Sequence, residues 1–272
     1  MNPTRGIAEP RTEAQFERTL TVTGPVALAV SIRSGRVRIR RGEEGCVAVR
    51  AVLRAQPSVF AWIHPQGEVH HVAEDPPVRQ EGNTIEIGDM ADRWLLRRIH
   101  VVIDVAVPAQ TRVRALSDSG DIRIEGIAGP VDCESDSGEI DISGIASQVS
   151  ATTDSGAIQI REVGGPVDAE TDSGDIQVLA IAGGIDAHSD SSNIHLSQTV
   201  AAPIYVQSDS GRVSLKLAPA GGYTFRLRTD DGRVDCPEMV RTSSSHKETE
   251  GVVRGGGSIV AIETDSGDID IV

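Results

Sequence analysis

Apolar and polar residues alternate along much of this chain, and the alternation restarts about every 18 positions. Four segments align without gaps: Ser117–Glu134 (SDSGDIRIEGIAGPVDCE), Ser135–Thr152 (SDSGEIDISGIASQVSAT), Thr153–Glu170 (TDSGAIQIREVGGPVDAE) and Thr171–His188 (TDSGDIQVLAIAGGIDAH). In the first, Ile122 and Ile124 alternate with Asp121, Arg123 and Glu125, which predicts a half-buried strand. Gly126-Ile127-Ala128-Gly129-Pro130 then turns the chain with Ile127 inward. Val131 and Cys133 alternate with Asp132 and Glu134 and predict a second strand. Asp136-Ser137-Gly138 makes the next corner. Aspartate can bond its own backbone two residues on, and glycine accepts a positive φ.

Equal spacing stacks like residues over like. Ile122, Ile140, Ile158, Ile176 and Ile194 form one inward ladder, and Val131, Val149, Val167, Ile185 and Ile204 another. A small position holds Cys133, Ala151, Ala169 and Ala187, so Cys133 reads as core filler. A single coil buries too little to fold alone, whereas stacked coils share hydrogen bonds and one core. The expected fold is all-β: a parallel β-helix, or β-solenoid, with coils of about 18 residues. Right-handed winding is expected by analogy with parallel crossovers. A left-handed hexapeptide helix has a similar coil length but needs aliphatics every six residues; Ala128 and Glu134 occupy those steps here. The corner glycines are Gly120, Gly138, Gly156, Gly174, Gly211, Gly232 and Gly267, with Ser192 in place of one.

Outside the regular array the pattern is looser. Residues 1–15 read as a disordered tail and 16–111 as an N-terminal β region with irregular coils. Within that region Ser34-Gly35-Arg36-Val37 echoes the later corners. Residues 54–83, carrying Pro57, Pro65, Pro76 and Pro77, read as a loop excursion. His64, His70 and His71 fall there without Cys or Asp at metal-ligand spacing, and Trp62 and Trp94 read as caps on the first coils. Residues 112–272 read as regular solenoid interrupted by a mobile loop at 239–258.

Composition narrows the function classes. Aromatics make up 3% of the 272 residues, so the apolar content is Val, Ile, Leu and Ala, which suits thin, strand-built cores. The net charge is −14: residues 1–110 carry 14 Arg against 13 acidic groups, and residues 111–272 carry 12 basic against 27. So acidic a surface repels phosphate backbones, and nucleic acid is not an expected partner. Three widely spaced cysteines predict neither a disulfide framework nor a metal site. No apolar leader and no long apolar run is visible. A cytoplasmic, membrane-free protein is therefore expected.

The stretch HVVIDVAVPAQTRVRALSDSGDIRIEGIAGPV (100–131), with tandem DSGxIxI corners after it, resembles the bacterial DUF4097 family of β-strand-repeat proteins. The resemblance covers roughly residues 20–272 and is most specific over 100–215. It implies a β-solenoid and the adhesin-like role the family is labelled with. It offers no catalytic residues to carry over.

Three readings follow from the residues. The first is a non-enzymatic scaffold or binding surface whose partner is a protein or another copy of itself. End-to-end pairing would run through the terminal strand Asp268, Ile269, Asp270, Ile271 and Val272, since an uncovered solenoid end offers unpaired backbone groups. The second is a divalent-cation ladder along Asp118, Asp136, Asp154, Asp172, Asp190 and Asp209. An Asx turn at each corner explains these aspartates more simply, and the spacing of calcium β-rolls is missing. The third is a polysaccharide-active enzyme, but the repeat spreads its acidic residues evenly and singles out no pair. No cofactor, nucleophile or phosphate-binding motif is evident.

Overall fold

The computed structural model describes residues 13–55, 72–88, 99–245 and 247–272. The chain is a two-sided β-solenoid. One sheet has 12 strands and the other 13, and most neighbouring strands run parallel. Each regular coil gives one strand to each sheet. Asp121–Glu125, for example, lies in the first sheet and Val131–Ser135 in the second.

The register follows the 18-residue period. Ile122 pairs with Ile140, Ile140 with Ile158, Ile158 with Ile176 and Ile176 with Ile194. On the second sheet Val131, Val149, Val167, Ile185 and Ile204 stand in one column. All of these are buried, and Cys133 sits among them at 1% exposure. Phe225 joins the Val131 column through Val260.

A third inward column lies at the corner itself: Ser117, Ser135, Thr153, Thr171, Ser189, Ser208, Thr264 and Thr229. These hydroxyls are buried. Ser135 Oγ accepts from Gly138 N at 2.9 Å and Thr153 Oγ1 from Gly156 N at 3.1 Å, and Thr171, Thr229 and Thr264 repeat the contact. The corner is therefore closed by the residue before the aspartate. Among the described residues no hydrogen bond reaches the carboxylates of Asp118, Asp136, Asp154, Asp172, Asp190 or Asp209, so the expected Asx turn gives way to a Ser/Thr turn.

The glycines also serve a different purpose from the one expected. Gly120, Gly138, Gly156, Gly174, Gly232 and Gly267 do not have positive φ; Gly211, at 116°, and the earlier Gly35, at 131°, do. What they need is proximity. A Cβ on Gly156 would stand 1.9 Å from Gly138 O, and one on Gly174 would stand 1.8 Å from Gly156 O. Successive corner backbones touch, and the ladder runs on through them: Ser137 N donates to Asp118 O and Ser155 N to Asp136 O, both at 3.1 Å.

Stack order departs from chain order near both tips. The coil Val26–Arg41 lies between the strands Thr84–Ile87 and Ile99–Val107 on one side and the coil Thr111–Glu125 on the other, which follow one another in sequence. The echo at Ser34-Gly35 is thus a true corner, and neither ladder breaks at residue 111. At the other tip the last coil, Ser258–Ile271, lies between Ile204–Lys216 and Tyr223–Asp235.

That placement corrects the expected self-association edge. Ile269 and Asp270 are paired on both sides, with Val213 and Ser214 on one and Val234 and Asp235 on the other, and Val272 N bonds Leu215 O. Asp268–Val272 is interior to the stack. The expected mobile loop is likewise a β-hairpin: Val240–Ser244 and Glu248–Val253 extend the second sheet beyond Tyr223–Thr229. Antiparallel segments also blunt the N-terminal tip, where Glu13–Thr21 and Val78–Glu81 are the edge strands. Glu13–Gln15, expected in the tail, belong to the first of these. Residues 1–12, most of the excursion, His64, His70, His71, Trp62 and Trp94 lie outside the described residues.

Gly156→Ala is expected to destabilise the protein by about 3 kcal/mol, the upper end for overpacking, because backbone rather than a movable side chain blocks the methyl. Thr153→Val should cost about 1–3 kcal/mol by orphaning the Gly156 N–H. Ser137→Ala, at an exposed corner position, should change stability by less than about 0.5 kcal/mol. Urea unfolding of the three variants checks the order; a tolerated alanine at 156 would refute the close-contact explanation.

Candidate functional site

With the core filled and the corners closed, ligand chemistry is left to the outer faces. The outer face of the first sheet carries its own ion pairs: Arg161 with Asp141 at 2.8 Å, Arg123 with Asp141 at 3.5 Å and Arg38 with Glu125 at 3.4 Å. Such exposed pairs are worth little to stability, but they leave few groups in search of a partner.

The outer face of the second sheet is different. Strand alternation turns Asp168, Asp186, Tyr205, Ala261 and Arg226 outward on consecutive strands, in register. A parallel column holds Glu170, His188, Gln207, Glu263 and Arg228. Among the described residues Tyr205 is the one exposed aromatic side chain, at 46%. Ala261 beside it leaves a depression, and the tip of the hairpin walls its far end. There Lys247 Nζ reaches Asp230 at 2.7 Å and Thr229 N donates to Lys247 O.

The result is a groove of about 570 Å3 whose lining includes His188, Tyr205, Arg226, Arg228, Lys247 and Glu263. A second groove of about 510 Å3 continues on the other side of Tyr205, past Asp186 and Asp168 to Pro166 and Ser150. Asp186 and Tyr205 line both. Together they form one band across the strands Val149–Thr153 to Tyr223–Thr229, roughly 24 Å along the stack at the usual strand spacing.

Charge in the band is mixed. Arg228 donates to Glu263 at 2.7 Å, and Arg226 lies 3.5 Å from Glu250. Asp186 Oδ1 is shielded from water, and its neighbour His188 Nε2, 2.8 Å away, is outside hydrogen-bond geometry. Burial, and then the adjacent negative charge of Asp186, hold the Asp168 carboxyl above the usual range, with His188 opposing.

The corner aspartates of successive coils are joined through their backbones. Backbone bonds link Asp118, Asp136, Asp154 and Asp172 corner to corner, and the column continues through Asp209 and Asp265 to Asp230. Arg33 lies 3.6 Å from Asp118 at one end, and Lys247 pairs with Asp230 at the other. Among the described residues no ion pair reaches the aspartates from Asp136 to Asp209, and no three acidic, His or Cys side chains converge as metal ligands. Neighbours about 5 Å apart repel by roughly 1 kcal/mol in water. Cys46, Cys133 and Cys236 are free thiols, and burial pushes Cys133 far above the range in which a thiolate forms. No helix among the described residues is long and apolar enough to cross a membrane.

The groove was not singled out by the sequence, because its residues come from coils that stack out of chain order. The available signal was Tyr205, an aromatic at an outward position between inward Ile204 and Val206.

A parallel two-sheet solenoid with a lateral polar groove defines the class. The family model described as Toastrack DUF4097 matches residues 80–272, and the chain belongs to that family. Among solved structures the chain is similar to a "putative adhesin" from Bacteroides fragilis, at 11% identity and a TM-score of 0.53 over 95% of this chain and 97% of that one. A "putative cell adhesion protein" from Clostridium sporogenes aligns at 10% identity and a TM-score of 0.26 over 95% and 99%. The first likeness is one of fold alone. No curated protein matches the chain.

Two solution tests follow from the site. Raising Asp168 above its unfolded value means that ionisation costs the folded state: the stability it lends is present in acid and lost as pH rises through the folded value. Asp168→Asn should therefore raise Tm at neutral pH and have little effect in acid, and an equal shift at both would refute the assignment. Added NaCl should raise Tm by screening the corner column. The double variant Asp154→Asn/Asp172→Asn should respond less, and millimolar calcium should leave the wild-type Tm unchanged.

Proposed function

We propose that this chain is a non-enzymatic, adhesin-like binding module that holds a neutral saccharide chain along the groove at Tyr205. The observation that carries the reading is that one exposed aromatic sits at the junction of two grooves on an otherwise polar face. An aromatic ring offers a flat apolar platform with a polar tip. Around it lie guanidinium, carboxylate, amide and imidazole groups, which both donate to and accept from hydroxyls. Three cationic and four carboxylate side chains line the band and nearly cancel, which favours a ligand without net charge. A peptide added as a further strand has no place there, because the sheet under the groove is fully paired. The adhesin name of the Bacteroides fragilis neighbour agrees with surface recognition.

Asp168, whose carboxyl is held above its ordinary value, and Asp186 stand one strand apart on the groove floor, and glycoside hydrolases use a pair of carboxyl groups. Hydrolysis is therefore the second reading. It is the weaker one: the carboxyl pair alone carries it, whereas the exposed ring and both grooves carry the first.

Binding to immobilised neutral polysaccharides, read by a glycan array and then by calorimetry, tests both. The expected result is saturable binding that falls at least about tenfold in Tyr205→Ala, equivalent to about 1.4 kcal/mol, with Tm unchanged. Release of reducing ends that Asp168→Asn abolishes would favour hydrolysis. Binding indifferent to Tyr205, or none across the panel, would overturn the groove as a saccharide site.

A further inference from the structure

The slot occupied by the last coil points to a second kind of interaction. Ser258–Thr264 and Ile269–Ile271 fill a gap one coil high, with a hydrogen-bonded ladder on each side in both sheets. Among the described residues the strands of Tyr223–Val253 join the two sheets of the solenoid body through this coil, and Tyr223 O–H also donates to Gln198 Oε1 at 3.1 Å. Val260, Ile262, Ile269 and Ile271 are buried between the two.

The coil is joined to the preceding hairpin by Arg254–Gly257. These four residues cross from one side of the strand Tyr223–Thr229 to the other. Their φ angles are 52°, 83°, 85° and 156°. The crossing is tight: a Cβ on Gly222 would lie 2.1 Å from Gly256 O. Arg254, a non-glycine residue in the left-handed region, is strained there and is held by hydrogen bonds to Ala218 O at 2.6 Å and Gly221 O at 3.3 Å.

The slot is selective about what fills it. A Cβ at position 267 would meet Gly211 O at 1.9 Å, and one on Gly232 would meet Gly267 O at 2.0 Å. The corner that fits must therefore carry glycine, preceded by a hydroxyl to accept from its N–H, as Thr264 does at 2.9 Å. A chain that carries this corner in register with buried Val260, Ile262, Ile269 and Ile271 is another copy of this one.

We propose that Ser258–Val272 is an exchangeable coil: two copies swap it, each filling the other's slot, and so form a dimer. Exchange reproduces every contact of the closed protein except those of the hinge. The balance between monomer and dimer then rests on concentration and on the crossover, and a short strained hinge tips it toward exchange.

The test uses two full-length chains with Cys46 and Cys236 replaced by Ser. One carries Gln207→Cys and the other Glu263→Cys; these positions face each other across the ladder in the closed fold. The chains are unfolded together, refolded over a range of concentrations and treated with a short bis-maleimide. Expected is a cross-linked pair whose yield rises with concentration, and none when the folded chains are simply mixed. A second variant deletes Gly255 and Gly256, leaving too little chain for the crossover. It should elute as a dimer at concentrations where the parent is a monomer, with an unchanged far-UV spectrum. Refolded chains that give no cross-link at any concentration, or a hinge-shortened chain that stays a folded monomer, would overturn the proposal.

Discussion

The fold depends on backbone contact at the corners. Each Asp-Ser-Gly turn rests on the one beneath so closely that no Cβ fits between Gly138 and Gly156 or between Gly156 and Gly174. The hydrogen-bond ladder therefore continues around the bend, and a buried hydroxyl closes each turn from the inside. Once corners are held at this separation, the strands they join have no freedom of register. The two inward aliphatics of each strand must lie on their equivalents, and the core follows.

That constraint explains which parts of the molecule were legible in the sequence. The period, the strands and the inward ladders were readable because each coil contacts a neighbour 18 residues away, so spacing along the chain equals spacing in the stack. The corner chemistry was only half readable. Asp and Gly stand out as turn residues, yet the Ser or Thr just before them, present in every full copy, closes the turn. The tips were not readable. Where Val26–Arg41 and Ser258–Ile271 slip between coils that are adjacent in sequence, contact order and chain order part company, and an alternation pattern carries no record of that.

The same loss of order hid the groove. Tyr205, Ala261 and Arg226 are neighbours on three consecutive strands but are scattered over more than fifty positions of sequence only because the last coil is inserted. Ala261 matters by what it lacks: a larger residue there would fill the depression beside the tyrosine. The acidic column on the corners is, by contrast, a by-product of repetition. Each aspartate faces solvent at its own turn, and among the described residues only the end members, Asp118 and Asp230, meet a cation.

The inserted coil also sets how the molecule carries load. Tension applied at Val272 does not peel a strand from a free tip, one ladder at a time. It draws on a coil gripped by a ladder on each face, in both sheets, so that two rows of bonds must shear together.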